Sequence, residues 1–534
     1  MTEPAYDVVI VGAGFSGLYM LHRARDVLGL RAVVLEAGEG VGGTWFWNRY
    51  PGARCDSESY YYSYSFSPEL EQEWEWTSKY PAQPEILSYL EHVADRFDLR
   101  RDIELGATVE RATFDEAANR WVVATRDGRE RTAQFLVTAV GCLSAANIPD
   151  IPGLDRFGGE WYHTGRWPHD GVDFSGKHVG LIGTGSTGIQ ATPVIAAEAA
   201  SLTVFQRTPN YTVPARNAPL TRERAAEIKA DYPAIRERTR NSYGGFPFTP
   251  AARSALEATP EERAAVYEEL WEEGGFKFLF GSFYDLLLSE EANETAAEFI
   301  RAKIRSIVHD PDVAELLSPR NHPYGSKRPP IDTDYFETFN RPNVTLVDLR
   351  ANPIEEIDAR GVRTTAAHHD LDVIVFATGF DAMTGALLEM DIRGRGGQQL
   401  RDRWAGGPST YLGLQVAGFP NLFTITGPGS PSVLSNMPVS IEQHVEWIAD
   451  CIAHLRVSGK STIEATPDAE EEWVRHVADI AGLTLFSKAD SWYLGANIPG
   501  KQRVFMPYVG GVMMYRQRCD EVAAKGYEGF AISA

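Results

Sequence analysis

A glycine turn of the form G-x-G-x-x-G occurs twice in the chain, and this repetition is the strongest constraint that the sequence places on the fold. The two copies are residues 12–17 and 183–188. Each follows a short apolar segment typical of a β-strand, residues 7–11 and 178–182, and each precedes a helical stretch. In such a βαβ unit the first glycine permits a tight turn, the second lets the backbone approach a pyrophosphate, and the helix N-terminus faces the phosphate charge. The sequence therefore predicts two dinucleotide-binding domains.

The residues that end the next strands distinguish the two predicted sites. Glu36 follows the strand at residues 31–35, and its carboxylate can accept hydrogen bonds from ribose hydroxyls. Arg207 follows the strand at residues 202–205, where its guanidinium suits the 2′-phosphate of NADP. We expect FAD or NAD at the first site and NADP at the second. Two ordinary βαβ turns without a ligand are the alternative, which the matched context of the two copies disfavours.

Length and charge restrict the classes of protein to which the chain can belong. Its 534 residues include 51 Lys and Arg against 73 Asp and Glu, a net charge of −22 at pH 7. At about 150 residues per domain, this length predicts two to four domains. The acidic balance argues against a nucleic-acid partner or an anionic membrane surface.

The chain has four widely separated cysteines, Cys55, Cys142, Cys451 and Cys519. They form no C-x-x-C pair, which argues against a disulfide framework, a zinc site and the redox-active pair of a flavin disulfide reductase. The acidic start, residues 1–7, lacks the basic region of a secretory signal, and the apolar residues 8–20 are too few to span a bilayer. We expect a cytoplasmic protein with no membrane span and no metal site; the oligomeric state stays open, with a monomer as the simplest case.

Further elements follow from hydrophobic periodicity. Alternation over residues 107–140 predicts an antiparallel meander, and residues 221–317 are rich in Ala, Glu and Arg with helical spacing. Thr259 begins a capping box with Glu262. Strands resume at residues 344–347 and 373–376.

Between the glycine turns lies a segment that matches F-x-G-x-x-x-H-x-x-x-W-P, the fingerprint of the Baeyer–Villiger monooxygenases. Its specified positions are Phe157, Gly159, His163, Trp167 and Pro168. Other family-like stretches are residues 48–56, 205–209, 377–381 and 491–497. In these details the chain resembles phenylacetone and steroid monooxygenases.

The resemblance implies an α/β fold with two Rossmann-like dinucleotide-binding domains, for FAD and NADP, and a helical insertion. The FAD domain would comprise residues 1–150 and 373–534. The NADP domain would comprise residues 151–220 and 323–372, and the helical insertion residues 221–322.

The resemblance also implies an activity. NADPH would reduce FAD, O₂ would add to give a C4a-peroxyflavin, and this would attack a ketone to form a tetrahedral adduct that yields an ester or lactone. A flavin N- or S-monooxygenase and a non-catalytic flavin redox sensor are the alternatives. Retention of Asp56 and Arg328 argues against the sensor.

Arg328 matches the family's catalytic arginine, and Asp56 matches an active-site carboxylate that could orient it. Without the resemblance, these two would be a surface loop arginine and a turn aspartate. The positions expected to bind FAD are Gly12, Gly14, Phe15, Gly17, Glu36, Thr44, Trp45, Trp47, Asp56, Tyr62, Val109 and Met437. Those expected to bind NADP are Gly183, Thr184, Gly185, Ser186, Thr187, Gly188, Gln206, Arg207, Thr208, Lys327, Arg328 and Trp492.

The fingerprint histidine has two interpretations, a general base or a hinge between domains. Because the motif lies on the link into the NADP domain, away from the glycine turns, we expect His163 to couple the domains. Trp167 is expected to pack structurally. In the family, the residue matching Trp492 contacts the nicotinamide nucleotide.

Overall fold

The structure is a computed structural model that describes residues 5–534. Part of the acidic start used above, residues 1–4, lies outside the described residues. The strands are β1 (Tyr6–Val11), β2 (Ala32–Leu35), β3 (Ile103–Glu104), β4 (Val109–Asp115), β5 (Arg120–Thr125), β6 (Glu130–Thr138), β7 (Glu160–His163), β8 (His178–Ile182), β9 (Ser201–Gln206), β10 (Val213–Pro214), β11 (Ile331–Asp332), β12 (Val344–Asp348), β13 (Ile354–Asp358), β14 (Gly361–Thr364), β15 (His368–Asp370), β16 (Val373–Phe376), β17 (Asp391–Arg393), β18 (Leu422–Thr424), β19 (Thr462–Ala465) and β20 (Phe530–Ser533).

Helices connect and cover these strands. They are α1 (Phe15–His22), α2 (Thr44–Trp47), α3 (Pro68–Glu73), α4 (Gln83–Arg96), α5 (Ser186–Glu198), α6 (Arg222–Arg240), α7 (Pro260–Glu273), α8 (Lys277–Gly281), α9 (Glu290–Ile307), α10 (Pro311–Leu317), α11 (Tyr335–Thr338), α12 (Gly385–Glu389), α13 (Leu400–Arg403), α14 (Met437–Val457), α15 (Pro467–Gly482) and α16 (Val512–Ala524). Within residues 5–534, no helix combines the length and the apolar character needed to cross a membrane.

The first sheet carries the first glycine turn. Its order is β17-β4-β5-β6-β1-β2-β3, and β18 also pairs with β6. Strand β1 lies parallel to β2 and β6, whereas β4, β5 and β6 form the predicted antiparallel meander. The strands β1 and β2 are almost fully buried because α1 covers one face, as expected for an α/β sheet.

The second sheet carries the second glycine turn. Its order is β12-β9-β8-β16-β7, and every pair in it is parallel. The first sheet has eight strands and the second has five, and each contains a βαβ unit with a glycine turn. This confirms the predicted fold class, an α/β chain with two Rossmann-like domains.

The second sheet corrects one predicted boundary. We expected residues 373–534 to form the second FAD segment, but Val373–Phe376 is a strand of the second sheet, between β8 and β7. The boundary therefore lies after Phe376. The remaining domain limits stay predictions.

Five helices, α6 to α10, lie within the predicted helical insertion. The capping box is present at α7, where Thr259 accepts from the Glu262 amide and Glu262 accepts from the Thr259 amide. The buried residues of these helices share one apolar core with the second sheet. The insertion is thus packed against the second sheet over a broad apolar face.

Candidate active site

The first glycine turn is closed to side chains on its inner side. Gly12 has φ +102°, and a Cβ atom there would lie 2.6 Å from the carbonyl oxygen of Ala139. A Cβ at Gly17 would lie 1.8 Å from the carbonyl oxygen of Gly12. Helix α1 starts after Gly14 with no side-chain cap. The crowded glycines and the uncapped amides fit a pyrophosphate at this helix N-terminus.

Glu36 lies at the carboxyl end of β2, beside the turn. Its Oε2 accepts from the Ala13 amide at 2.6 Å, and its Oε1 accepts from the Gly38 amide at 2.7 Å. Burial raises the pKa of Glu36, and these two amide bonds lower it in part. A buried carboxylate at this position fits ribose hydroxyls, which is the donor set that FAD presents.

Aromatic residues surround the same turn. A Cβ on Gly43, which precedes α2, would lie 2.9 Å from the Cα of Gly14, so α2 begins against the turn. Trp45 Nε1 donates to the Tyr62 hydroxyl at 3.2 Å, and the Tyr62 ring lies 5.4 Å from that of Phe15. The structure thus gathers these three predicted FAD residues.

The remaining FAD positions differ in how directly the structure ties them to the turn. Thr44 and Trp47 are the exposed members of α2. Val109 begins β4, two residues after Ala107, whose amide donates to the Glu36 carbonyl at 2.7 Å. Met437 is the first residue of α14, which packs against α1. Their contacts with FAD stay predictions.

The second glycine turn repeats the geometry of the first. Gly183 has φ +114°, and a Cβ there would lie 2.4 Å from the Ala377 carbonyl oxygen; a Cβ at Gly188 would lie 2.1 Å from that of Gly183. In contrast, a Cβ at Gly185 would meet nothing within 4 Å. Ser186 and Thr187 begin α5, which has no side-chain cap. The outer side of this turn therefore has room for a pyrophosphate.

Positive side chains gather near the end of β9, where Arg207 is exposed. Thr184 Oγ1 donates to the Thr208 carbonyl at 2.8 Å, and Arg350 Nη2 donates to Thr208 Oγ1 at 3.3 Å. Burial and the charge of Arg207 lower the pKa of Lys327 to about 8, and Arg350 adds to this effect against the opposing Asp490. The lowering of the Lys327 pKa by the neighbouring charges shows that these cations repel one another. A dianionic phosphate bound between them would relieve this repulsion.

Gln206 differs from Arg207 and Thr208, its neighbours among the residues expected to bind NADP. Its side chain is buried, and its Nε2 donates to the Leu316 carbonyl at 2.7 Å, at the end of α10. The amide is therefore directed into the helical insertion. The structure does not bring this side chain to the exposed edge beside Arg207.

Asp56 and Arg328 meet although 272 positions separate them in the chain. Arg328 Nε donates to Asp56 Oδ2 at 2.9 Å, and Nη2 donates to Asp56 Oδ1 at 2.8 Å. Arg328 Nη1 also donates to the Val433 carbonyl at 2.8 Å. Burial lowers the pKa of Arg328, but the charge and hydrogen bonds of Asp56 outweigh burial and hold the pKa above its usual value. The guanidinium is a fixed, permanent cation.

The segment before Asp56 packs on the second nucleotide site. The Tyr50 hydroxyl donates to Gln190 Oε1 at 2.7 Å, and Gln190 Nε2 donates to the Arg54 carbonyl at 3.1 Å. A Cβ on Gly52 would lie 2.4 Å from the Gln190 carbonyl oxygen. Since Gln190 belongs to α5, the segment that leads to Asp56 lies against the helix of the second glycine turn.

An apolar cavity adjoins the guanidinium. Arg328 lines it with Phe276, Phe280, Val433 and Tyr493, together with other apolar side chains of the insertion. Burial raises the pKa of Tyr493 to about 12, although nearby Arg328 works against this rise. The Trp492 ring lies 4.3 Å from the Tyr493 ring, so the predicted nucleotide residue is next to the cavity wall.

Two linkers cross between the sheets, and the fingerprint lies against them. The Asn147 amide donates to the Gly379 carbonyl at 2.9 Å, and the Asp381 amide donates to the Ala145 carbonyl at 2.8 Å. These antiparallel contacts join the connection from β6 to β7 with the connection from β16 to β17. Rotation of one sheet relative to the other would therefore require these two hydrogen-bonded linkers to change conformation.

His163 is buried beneath the crossing. Its Nδ1 accepts from the Gly165 amide at 3.0 Å, which leaves the proton on Nε2. Burial and Arg166 lower the pKa of His163 to about 4, and the backbones of Gly379 and Asn147 offset part of this lowering. A neutral ring held against both linkers supports domain coupling, which stays a prediction.

Two further fingerprint residues, Trp167 and Gly159, are closely packed. Trp167 is buried, with its ring 5.6 Å from Tyr162 and 6.2 Å from Phe174. A Cβ on Gly159 would lie 2.2 Å from the Asp372 carbonyl oxygen, so only glycine fits beside β16.

Comparison with known proteins identifies the family. A Baeyer–Villiger monooxygenase of Pseudooceanicola batsensis is 47% identical over 524 residues, which cover 98% of this chain and 95% of that protein. The chain belongs to the Baeyer–Villiger monooxygenase family. A phenazine N-monooxygenase of Lysobacter antibioticus is 46% identical over 529 residues, 99% of this chain and 97% of that protein. The family resemblance seen in the fingerprint is thereby confirmed.

The fold of this family member is also matched by solved structures and by a broader family model. A structure of oxidised steroid monooxygenase bound to NADP superposes with a TM-score of 0.95 at 57% identity, covering 99% of both chains. A model described as pyridine nucleotide-disulphide oxidoreductase matches residues 9–241. Because all four cysteines are buried and free, that match concerns the dinucleotide-binding fold and not a disulfide site.

Three residues near the site escaped the sequence analysis. Arg350 follows β12, which pairs in parallel with β9, so the carboxyl ends of both strands meet at one edge; this topology could have signalled a cation beside Arg207. Phe276 and Tyr493 gave no signal that separates them from core aromatic residues. Their position beside Arg328 follows only from tertiary packing.

The glycines of the second turn provide a matched pair of variants. Gly183→Ala should lower the melting temperature markedly, because the new Cβ meets the Ala377 carbonyl at 2.4 Å with the backbone at φ +114°. Gly185→Ala has open space and φ −82°, so it should keep the melting temperature and weaken NADP⁺ binding. Thermal unfolding and NADP⁺ titration check both. Wild-type NADP⁺ affinity in Gly185→Ala would contradict a pyrophosphate at this turn.

Proposed function

We propose that this protein is an FAD-containing, NADPH-dependent monooxygenase that inserts one oxygen atom from O₂ next to the carbonyl of a ketone, giving an ester or lactone. The observation that carries the proposal is the Arg328–Asp56 pair at an apolar cavity, with the segment before Asp56 packed on the helix of the second glycine turn. When bound, FAD supplies the electron transfer from NADPH to O₂. The chain's own residues bind the nucleotides, orient the ketone and stabilise charge.

Arg328 stabilises the negative charge that develops on the carbonyl oxygen when a ketone is attacked. Its cation persists because Asp56 holds the pKa above its usual value. Three of the five N–H groups of an arginine are used by Asp56 and the Val433 carbonyl, and the rest are shared between the Tyr493 hydroxyl and the substrate. Fixed donors aimed at developing charge contribute most where water is excluded.

Asp56 positions the arginine. Its two oxygens hold Nε and Nη2 in a bidentate contact, which fixes the plane of the guanidinium better than a single bond. Both side chains are mostly buried, with 25% of Arg328 and 17% of Asp56 exposed. The pair therefore has little solvent screening.

The cavity wall excludes water from the reacting carbonyl. Its aromatic residues from the insertion include Tyr243, Phe246, Phe276 and Phe280. An apolar wall with one charged group favours a neutral, largely hydrocarbon ketone with its carbonyl toward Arg328.

The preference for NADPH belongs to the same proposal. Arg207 and Lys327 would hold the 2′-phosphate, which NADH lacks. Charge-assisted hydrogen bonds contribute about 1.5–3 kcal/mol each. Two such contacts give a large discrimination between the nucleotides.

Arg207→Ala should weaken NADPH binding about tenfold or more and change NADH use much less, because only NADPH presents a phosphate to the guanidinium. Steady-state oxidation of each nucleotide, measured with a saturating ketone, gives both effects. Arg360→Ala removes an arginine that is 70% exposed on the neighbouring β13–β14 hairpin and is the control. Equal losses with NADPH and NADH would contradict the phosphate assignment.

Oxidation at nitrogen is the second candidate activity, because the phenazine N-monooxygenase is almost as similar to this chain as the Baeyer–Villiger monooxygenase. Oxygen transfer to nitrogen passes through no tetrahedral carbonyl adduct, whereas attack on a ketone places an oxyanion on the carbonyl oxygen. The fixed guanidinium therefore favours ketones. Competition between a ketone and an aromatic amine, with both products measured, decides between the two activities.

Arg328→Ala should still oxidise NADPH while ester formation falls on the order of 10²-fold or more, as for the loss of single oxyanion donors elsewhere. Arg328→Lys keeps the charge without the planar fork and should restore only part of the yield. Ester is measured by chromatography, hydrogen peroxide with a peroxidase assay and NADPH by absorbance. Near-native ester formation by Arg328→Ala would show that Arg328 is only a loop cation.

A cytoplasmic location and a monomeric state complete the proposal. Cys55, Cys142, Cys451 and Cys519 are all buried free thiols, as expected for a reducing compartment. Light scattering of the holoenzyme measures its oligomeric state directly.

A further inference from the structure

The bonds that hold Arg328 all lie at the edge of its guanidinium. Asp56 contacts Nε and Nη2, and the Val433 carbonyl contacts Nη1. Edge bonds resist rotation within the guanidinium plane. They resist tilting of that plane much less, because a carboxylate accepts hydrogen bonds over a broad range of angles.

One face of the guanidinium lies over an aromatic ring. The Arg328 Cζ is 5.2 Å from the centroid of the Phe276 ring, within the range of a cation–π contact. The ring and Arg328 line the same cavity. Phe276 comes from the helical insertion, whereas Asp56 and Val433 come from distant parts of the chain.

The position of Phe276 is set by two glycines. Gly274 has φ +76° and Gly275 has φ +75°, and a Cβ at Gly275 would lie 2.0 Å from the Tyr80 hydroxyl. Phe276 then immediately precedes α8 as its N-cap residue, with its ring 5.7 Å from that of Phe246. A tight turn packed against Tyr80 and a neighbouring ring fix the aromatic face beneath the arginine.

We propose that Phe276 is a positioning residue for Arg328, and that its ring face sets the tilt of the guanidinium toward the ketone carbonyl. The inference rests on the proposed function. A ring face suits this task because it attracts the cation without neutralising it and without using an N–H group. The N–H groups outside the Asp56 and Val433 bonds therefore stay available to the Tyr493 hydroxyl and the carbonyl oxygen.

Phe280 is the matched comparison. It belongs to α8 and also lines the cavity, with its ring 6.4 Å from that of Phe276. Loss of either ring removes apolar wall from the ketone site, but only Phe276 forms the cation–π contact described above. A residue that only lines the cavity should mainly change the KM for the ketone, and its loss should reduce the fraction of NADPH converted to ester less than loss of the Phe276 contact does.

The test compares Phe276→Leu and Phe280→Leu in the FAD-loaded enzyme, with FAD content and melting temperature measured first. Phe276→Leu should lower kcat for ester formation roughly 3- to 30-fold, the range of a cation–π contact, and release hydrogen peroxide in place of ester. Phe280→Leu should raise KM, and it should lower kcat and the ester formed per NADPH clearly less than Phe276→Leu does. Phe276→Tyr, which keeps the ring face, should recover most of the lost kcat.

A second readout does not depend on turnover. Crystal structures of the holoenzyme should show the guanidinium tilted out of the Asp56 carboxylate plane in Phe276→Leu and unmoved in Phe280→Leu. The inference is overturned if the guanidinium is unmoved in both variants, if both give the same ester per NADPH, or if Phe276→Tyr is as impaired as Phe276→Leu. Failure of the wild type to make ester from any ketone would instead overturn the proposed function.

Discussion

The salt bridge between Arg328 and Asp56 is the contact on which the active site depends. It places a permanent cation where the helical insertion, the C-terminal segment and the stretch packed on α5 converge. Burying either the arginine or the aspartate alone in this cavity would cost a large amount of free energy, because each charge would lose its hydration without gaining a partner. Together they stabilise each other's charge while the arginine keeps N–H groups for substrate. The remaining structure can be understood as the framework that brings these two residues together.

Backbone crowding builds the nucleotide sites around that pair. In both turns the first glycine lies against the carbonyl of a neighbouring strand end, Ala139 or Ala377, and the third lies against the first. No side chain fits there, so α1 and α5 each start with their amides unshielded. Glu36 and Arg207 then give the two sites opposite charge. The same backbone geometry thus serves two nucleotides with different ribose chemistry.

Local pattern predicted much of this fold. Strand β8 has the predicted bounds, the capping box at Thr259 is present, and the meander is antiparallel. The sequence pattern did not predict features that depend on which segment packs against which. The residues 373–376 themselves do not indicate to which sheet their strand belongs. The pairing with β8 and β7 assigns the strand to the second sheet. The short strand β15 is also fixed by its neighbours, because it pairs with β14 and His368 contacts Asp358 of β13. The Phe276 ring over Arg328 likewise depends on a contact between segments distant in sequence.

The central claim is that O₂ supplies the oxygen atom that enters the ketone, and isotope labelling tests it most directly. The purified holoenzyme is incubated with NADPH, a hydrophobic ketone and ¹⁸O₂, and the product is analysed by mass spectrometry, with H₂¹⁸O as the parallel control. The product from ¹⁸O₂ should be an ester or lactone with one ¹⁸O atom at the ring or bridging position, and H₂¹⁸O should contribute no label. An unlabelled ester, or NADPH oxidation that yields only hydrogen peroxide with every ketone tried, would contradict it.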